Sequence, residues 1–147
     1  MNRSFRLGFG LVLVMLLAGC QVASPHHVAG TGSAPVPLQG TNWQLTGFVE
    51  DGVTTALADG TSIPMSINDG RLHAQPCNTL VGPVAIDGSS FKSGELVSTM
   101  MMCFGDQGEQ ETRFIDTLGA VTKSEITGDK LTLSTSDGRA LVFVAEL

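Results

Sequence analysis

The sequence has few of the residues on which most catalytic sites depend. Among its 147 residues are 3 His and 3 Cys, and there is no Tyr. It contains no HExxH zinc motif, no glycine-rich phosphate-binding loop and no paired-carboxylate signature. We therefore expect no catalytic residue, no cofactor and no metal ion, and we interpret the protein as a non-enzyme.

Basic residues are also scarce. The chain has 8 Lys and Arg against 14 Asp and Glu, a formal net charge of −6. Because binding to nucleic acid depends on clustered Lys and Arg that neutralise phosphates, this composition excludes nucleic acid as a partner. An acidic surface favours a cationic partner, or it serves only to keep the protein soluble.

The first 19 residues have the order of a bacterial export signal. Two arginines precede an apolar run at residues 7–17, which is too short to remain as a membrane-spanning helix. The motif LAGC at residues 17–20 resembles a lipobox, which implies cleavage before Cys20 and acylation of that cysteine, with palmitate among the expected chains. An ordinary secretory signal without a lipid is the alternative.

The segment that follows the signal is interpreted as a lipidated tether. Residues 20–39 are rich in small residues, Pro and Gly, and have no periodicity that would bury a face. Gln21, rather than Asp, follows the cysteine, which by analogy with Gram-negative lipoproteins implies the outer membrane, with the domain facing the periplasm. His26 and His27 have no third ligand in the sequence nearby, so we expect them to be solvated rather than bound to a metal.

Removal of the signal makes the protein more acidic. It leaves 6 basic residues against 14 acidic ones, a net charge of −8. Anionic lipid headgroups repel such a domain, so attachment to the membrane rests on the acyl chains of Cys20, several of which anchor a protein stably.

Cys77 and Cys103 are the two cysteines that remain once Cys20 is acylated. An even number in an oxidising compartment predicts a disulfide. The bond would close a loop of about 27 residues and stabilise the fold by roughly 3–4 kcal/mol in the chain-entropy model. Two unpaired buried thiols are the alternative, and the spacing is too long for a CxxC redox pair.

The first half of residues 40–147 reads as strands joined by tight turns. Apolar residues alternate over 41–49 and 63–67, and the turn signals Asn68-Asp69-Gly70 and Asp87-Gly88 follow. Pro64 lacks an N–H group, which predicts a sheet edge or a bulge. The residues expected to face the core are Trp43, Leu45, Gly47, Val49, Ile63, Met65, Ile67 and Leu72.

The second half predicts a methionine-rich strand, one helix and three further strands. We expect the strand over 95–102 to place its methionines in the core, with a thioether–thiolate copper site as the alternative. A capping box at 106–109 and a stripe of apolar residues predict a helix over 107–121. The stripe consists of Phe114, Ile115, Leu118 and Val121. Strands follow at 123–127, 130–135 and 139–145, and the last is apolar on both faces, as is typical of a central strand.

Several blocks in this order resemble META domains, the HslJ-like heat-shock lipoprotein family. The blocks are Trp43-x-Leu45, Cys77-Asn78 with Gly82 and Asp87-Gly88, the run from Thr99 to Cys103, Glu111 with Phe114 and Leu118, and residues 126–133 with Asp137-Gly138 and 141–143. The resemblance covers about residues 40–147. It implies an α+β domain, a compact antiparallel barrel-like sheet of meander hairpins with one helix packed on it. It also implies links to stress tolerance and envelope integrity, and it supplies no catalytic residue.

These observations predict a non-enzymatic envelope lipoprotein that serves in a stress response, in envelope integrity or as a binding module. Its partners would be the membrane, through Cys20, and an envelope protein, and we expect a monomer. An inhibitor of a hydrolase such as lysozyme or a protease is the alternative, by analogy of size and charge. An enzyme would have to use His73, the one His in residues 40–147. A strand His beside a turn fits a structural or solvated role better.

Overall fold

The computed structural model describes residues 34–146, so the export signal, Cys20 and the His26–His27 pair lie outside the described residues. The described part contains ten strands and one helix. These are β1 (Asn42–Glu50), β2 (Val53–Ala56), β3 (Pro64–Asn68), β4 (Arg71–Ala74), β5 (Leu80–Asp87), β6 (Ser90–Ser93), β7 (Val97–Ser98), α1 (Asp106–Ala120), β8 (Val121–Thr127), β9 (Lys130–Thr135) and β10 (Ala140–Glu146). No helix within residues 34–146 has the length and apolarity needed to cross a membrane.

Eight of the strands close into an antiparallel barrel. Their order is β1-β10-β9-β8-β6-β5-β4-β3, and the sheet closes because β1 pairs with β10 on one side and with β3 on the other. Two short strands are added to it: β2 pairs with the second half of β1, and β7 pairs with the start of β5. The expected α+β fold, an antiparallel barrel-like sheet with one helix, is confirmed.

The alternation of β1 changes phase in the middle of the strand. Trp43 and Leu45 point into the core as predicted, but the next large side chain there is Phe48, which is 1% exposed, rather than Val49. The register with β10 shifts at Thr46, the extra residue of a β-bulge. Because a strand repeats every two residues, one extra residue moves all later side chains to the opposite face. The prediction for Val49 is therefore wrong.

Pro64 does not mark a sheet edge. It is the first residue of β3, and β3 lies between β1 and β4. A proline is tolerated at the first position of a strand, where no ladder bond from its nitrogen is needed, so the expectation of an edge or a bulge is wrong. The side chains of Ile63, Met65 and Ile67 are buried as predicted.

The last strand is central, as its two apolar faces predicted. β10 pairs with β9 along one edge and with β1 along the other. Leu141 and Phe143 are fully buried, and the side chain of Val142 on the opposite face is also buried.

Helix α1 packs its apolar stripe against the barrel. Phe114 and Leu118 are fully buried, as predicted, and the ring of Phe114 meets that of Phe143 edge-on, with centroids 6.4 Å apart. The helix lies one residue earlier than expected, because Asp106 is its first residue and the N-cap is Gly105 with no side-chain cap. The predicted capping box is therefore wrong, and the negative charge of Asp106 in the first turn favours the helix dipole.

The antiparallel arrangement places alternate connections at opposite ends of the barrel. The chain enters at the end that carries the turns after β3, β5 and β8, where the Val36 N–H donates to the Gly128 carbonyl oxygen at 3.2 Å. Packing thus begins at Val36, within the segment interpreted as tether. The connections after β1, β4 and β7 and the start of α1 lie at the other end.

Candidate functional site: a methionine loop

Residues 99–105 connect β7 to α1, and we call them the methionine loop. Their large apolar side chains lie in solvent: Met100 is 98% exposed, Met101 58%, Met102 77% and Phe104 74%. The strand predicted over 95–102 is reduced to Val97–Ser98. The prediction that the methionines fill the core is therefore wrong, because beyond β7 the backbone bonds to a side chain, Asn78, instead of to a neighbouring strand.

A disulfide joins the methionine loop to the connection between β4 and β5. It links Cys77 to Cys103, the pair that cysteine parity predicted, with the Cα atoms 6.3 Å apart. This separation lies in the usual range for disulfides. Both cysteines are half-buried, and the bond fixes the end of the loop just before the helix begins.

The side chain of Asn78 holds the middle of the loop. Its Oδ1 accepts from the Met101 N–H at 2.6 Å and from the Thr99 hydroxyl at 2.9 Å, and its Nδ2 donates to the Met101 carbonyl oxygen at 3.2 Å. The amide of Asn78 thus pairs with both backbone groups of Met101, as a neighbouring strand would. Asn78 is only 5% exposed, so water competes little for these bonds.

Glu111 connects the same asparagine to the helix. Its two carboxylate oxygens accept from the Asn78 backbone N–H at 2.8 Å and from Asn78 Nδ2 at 3.0 Å, and its Oε2 lies 3.2 Å from the Sγ of Cys103. Hydrogen bonds to a carboxylate are stronger than neutral ones. We call Asn78, Thr99, Met101 and Glu111 the Asn78 network. Within residues 34–146, no buried side-chain nitrogen or oxygen lacks a partner.

Two glycines allow the segments of the site to approach one another. A Cβ atom at Gly82 on β5 would lie 2.6 Å from the carbonyl oxygen of Glu95, so glycine lets the segment before β7 cross this strand. A Cβ atom at Gly108 would lie 3.1 Å from the carbonyl oxygen of Cys103, at the first turn of α1. A larger residue at Gly82 would press on Glu95 and Leu96 before β7, and a larger residue at Gly108 would press on Cys103.

The site does not have the chemistry of a thiolate metal centre. Ligand atoms of Cys77, Cys103 and Glu111 lie within 4.8 Å of one another. The two sulfur atoms are joined in a disulfide and carry no thiolate charge, whereas copper and zinc sites of this kind require thiolates. The copper alternative therefore loses its charged ligands in this state. His73 lies elsewhere, exposed on β4 opposite Ser66.

Beside the first turns of α1 lies an open cavity of about 420 Å³. Its lining residues are Glu50, Glu109, Thr112, Arg113, Asp116 and Arg139. The Arg113 guanidinium bonds to Glu50 at 2.8 Å and stacks 4.5 Å from the centre of the Phe48 ring. Among the described residues, Glu109 and Asp116 form no salt bridge, so two carboxylates of this cavity remain free to meet a cation.

The second arginine of the cavity is also neutralised. Arg139 bonds to Asp137 at 2.9 Å. Hydrogen bonds from the Arg139 side chain and from the Thr135 hydroxyl hold the pKa of Asp137 well below its usual range, and the same pairing raises the pKa of Arg139. Asp137 is exposed and Arg139 is half-buried, so solvent screens the pair and its effect on the field of the cavity is local.

Sequence reasoning missed the Asn78 network. Asn78, Thr99 and Glu111 all lie in the blocks that carry the family resemblance, but the sequence assigned them no role. The carboxylate of Glu111 bonds to Asn78, which lies 33 residues away in the chain. No local sequence signal indicates these bonds, because the side chain of Asn78 reaches Met101, which is 23 residues away.

The fold of this chain is similar to that of two solved structures. An NMR structure of a protein from Burkholderia xenovorans has 21% sequence identity and a TM-score of 0.65, over 84% of this chain and 99% of that chain. A second NMR structure has 20% identity and a TM-score of 0.57, over 73% of this chain and 90% of that chain. At these identities the likeness shows the fold alone. No curated protein matches the chain. The family model described as META domain matches residues 36–146, and the chain therefore belongs to the META domain family.

Proposed function

We propose that the protein is an HslJ-like lipoprotein, anchored to the outer membrane through an acylated Cys20 and facing the periplasm. In this proposal it acts without catalysis, as a binding module that supports stress tolerance and envelope integrity. The observation that carries the proposal is the methionine loop, in which Met100, Met102 and Phe104 are each more than 70% exposed. Monomeric proteins rarely leave such a cluster in solvent unless it binds something.

The construction of the loop supports a binding role. A disulfide, a buried asparagine and a carboxylate fix its backbone, so a partner would not have to order it on binding. Methionine side chains are flexible and polarisable, and they suit surfaces that adapt to varied partners.

The position of the loop fits anchoring through the N-terminus. The described chain enters the barrel near Gly128, at the end opposite the methionine loop. A tether that runs from Cys20 to this end leaves the loop facing away from the bilayer. The alternative role, inhibition of a lysozyme or a protease, gains no support from the family match or from the structural neighbours.

The anchoring half of the proposal is tested by mass spectrometry of the mature N-terminus. We expect a chain that begins at an acylated Cys20, and we expect the Cys20→Ala variant to carry no acyl chain. An unmodified chain that begins at another residue contradicts lipid anchoring.

The stress half is tested in a strain that lacks the gene. We expect wild-type protein and a Val53→Ser control to restore survival after heat or detergent exposure, since Val53 is an exposed apolar residue outside the loop. The triple variant Met100→Ser, Met101→Ser, Met102→Ser should restore it poorly. Full rescue by the triple variant would separate the loop from the stress role.

A further inference from the structure

We propose that the methionine loop binds cationic amphipathic peptide segments, with the methionine side chains covering the apolar face and the surrounding carboxylates meeting Lys or Arg. The proposal rests on the binding role given above and names the chemical class of the partner. Separate observations support the two parts of the proposal, the apolar contact and the charge complementarity.

The apolar half is set by a group of exposed side chains that are close in the chain. Met100, Met101, Met102 and Phe104 follow Val97, which is 62% exposed on β7. Full burial of one methionine side chain should strengthen binding by roughly ten- to a hundredfold. Because the Asn78 network and the disulfide already hold the backbone, little of this gain is lost to ordering the loop.

The charge half is set by the residues around the loop. The segment 94–112 contains four acidic residues, Glu95, Asp106, Glu109 and Glu111, and no Lys or Arg. Arg113, the next residue, is paired with Glu50. Glu111 is engaged by Asn78, whereas Glu95, Asp106 and Glu109 are exposed. An apolar surface bordered by one sign of charge selects partners of the opposite sign.

The same charge disfavours two other occupants of the loop. A second copy of the chain would bring the same carboxylates face to face, and an anionic bilayer would repel them. The loop also lies at the barrel end opposite the point where the chain enters from its tether. A basic peptide segment satisfies both the apolar and the acidic part of the surface.

The test uses full-length protein in phosphatidylcholine nanodiscs and a fluorescent synthetic peptide of Leu and Lys. The fluorescence anisotropy of the peptide is measured as nanodiscs that carry the protein are added. The protein is the wild type, the triple variant Met100→Ser, Met101→Ser, Met102→Ser, or the Val53→Ser control. Nanodiscs without protein give the background. We expect the triple variant to bind at least about tenfold more weakly than wild type, and the control to bind as wild type does. Equal binding by the triple variant overturns the proposal.

The role of charge in binding is tested by a separate set of peptides and variants. Matched peptides of Leu and Glu, and of Ser and Lys, should bind much more weakly than Leu and Lys, and an Asp106→Asn, Glu109→Gln variant should lose several-fold in affinity at low salt. Raising the salt from about 0.05 M to about 0.5 M should remove most of that difference, since it shortens the screening length severalfold. Equal binding of the Leu–Glu peptide, or loop-dependent dimers in sedimentation, contradicts a cationic partner.

The outcomes separate this proposal from the one on which it rests. If the triple variant fails to restore survival but binds the Leu–Lys peptide as wild type does, the loop has a stress role with a different partner. If the peptide binds through the loop while the triple variant restores survival fully, the cationic partner stands and the stress role fails. An identical thermal midpoint of wild-type and triple-variant protein shows that neither result comes from unfolding.

Discussion

The barrel interior and the methionine loop are built in opposite ways. In the barrel, apolar side chains such as Phe114 and Phe143 are fully buried, and non-directional burial stabilises them. In the loop the apolar side chains lie outside, and a polar residue, Asn78, is buried beneath them. The comparison teaches that a loop without a core of its own can be fixed by directional bonds and one covalent link, which leaves its apolar side chains available for contact.

The two regions should therefore respond differently to mutation. Truncating a core side chain should lower stability and leave the loop's contacts intact. Changing the loop's polar supports should lower stability by less and release the loop. Changing its methionines should leave stability almost unaltered, so that their effect is confined to binding.

The largest effect is expected in the barrel. Phe114→Ala removes a fully buried ring in edge-on contact with Phe143, and it should lower the free energy of unfolding by about 3–5 kcal/mol. Urea titration measures it, with the exposed Thr112→Ala on the same helix as control. A loss below about 1 kcal/mol would mean that the helix stripe does not pack as described.

The disulfide should rank next. Cys77→Ser should lower the free energy of unfolding by about 3 kcal/mol, the usual effect of losing a loop-closing bond. The double variant with Cys103→Ser should lose little more, because both variants lose the same bond. Thiol counting under denaturing, non-reducing conditions accompanies the urea titration, and two free thiols in wild-type periplasmic protein would remove the disulfide from this account.

The Asn78 network should contribute somewhat less. Asn78→Ala leaves the Met101 N–H without its acceptor and removes one of the two bonds from Asn78 to the Glu111 carboxylate, and it should cost about 2–3 kcal/mol. Asn42→Ala, at an exposed position of β1, is the matched control and should change little. If both variants melted at the same urea concentration, the buried amide would have no role in holding the loop.

The methionines themselves should matter least to folding. The triple change of Met100, Met101 and Met102 to Ser should alter the free energy of unfolding by less than about 0.5 kcal/mol, as is usual for exposed side chains. A loss above about 1.5 kcal/mol in the same urea titration would show that the side chains are packed. That result would contradict the claim that apolar side chains are buried in the barrel but exposed in the loop.

The smallest effect concerns acid stability at the turn between β9 and β10. The pKa of Asp137 is lowered in the folded protein by Arg139 and Thr135. The bonds of Asp137 therefore contribute their full stabilisation above the unfolded-state pKa of about 3.9. This contribution is lost as the pH falls below that value toward the pKa of Asp137 in the folded protein. Asp137→Asn should remove this part of the acid dependence in urea titrations at several pH values. An unchanged slope between wild type and variant would contradict the pairing.

Local sequence signals predicted the parts of the fold that depend on local geometry. Asp69 and Gly70 have the positive φ angles of a tight turn, 48° and 70°, as their residue types predicted. The stripe of Phe114 and Leu118 identified the buried face of the helix, and the apolar faces of β10 identified a central strand.

The remaining features depend on contacts between distant residues. Asn78 and Met101 are 23 residues apart in the chain, and nothing in the run around Met101 indicates that a side chain replaces its strand partner. Strand periodicity also does not reveal the extra residue at Thr46, which depends on the register with β10. The cysteines thus predicted the disulfide, whereas the sequence assigned no binding role to this loop and placed its methionines in the core.

Hydrogen–deuterium exchange of the loop amides tests the central claim most directly. The Met101 N–H donates to the buried Asn78 Oδ1, whereas the Met102 N–H has no acceptor among residues 34–146. We predict that the Met101 amide of the wild type exchanges at least about a hundredfold more slowly than the Met102 amide. This protection corresponds to an opening free energy of about 3 kcal/mol for its hydrogen bond. Asn78→Ala should abolish the difference. Equal, fast exchange of both amides in wild type would contradict the claim that the loop is held rigid beneath its exposed side chains.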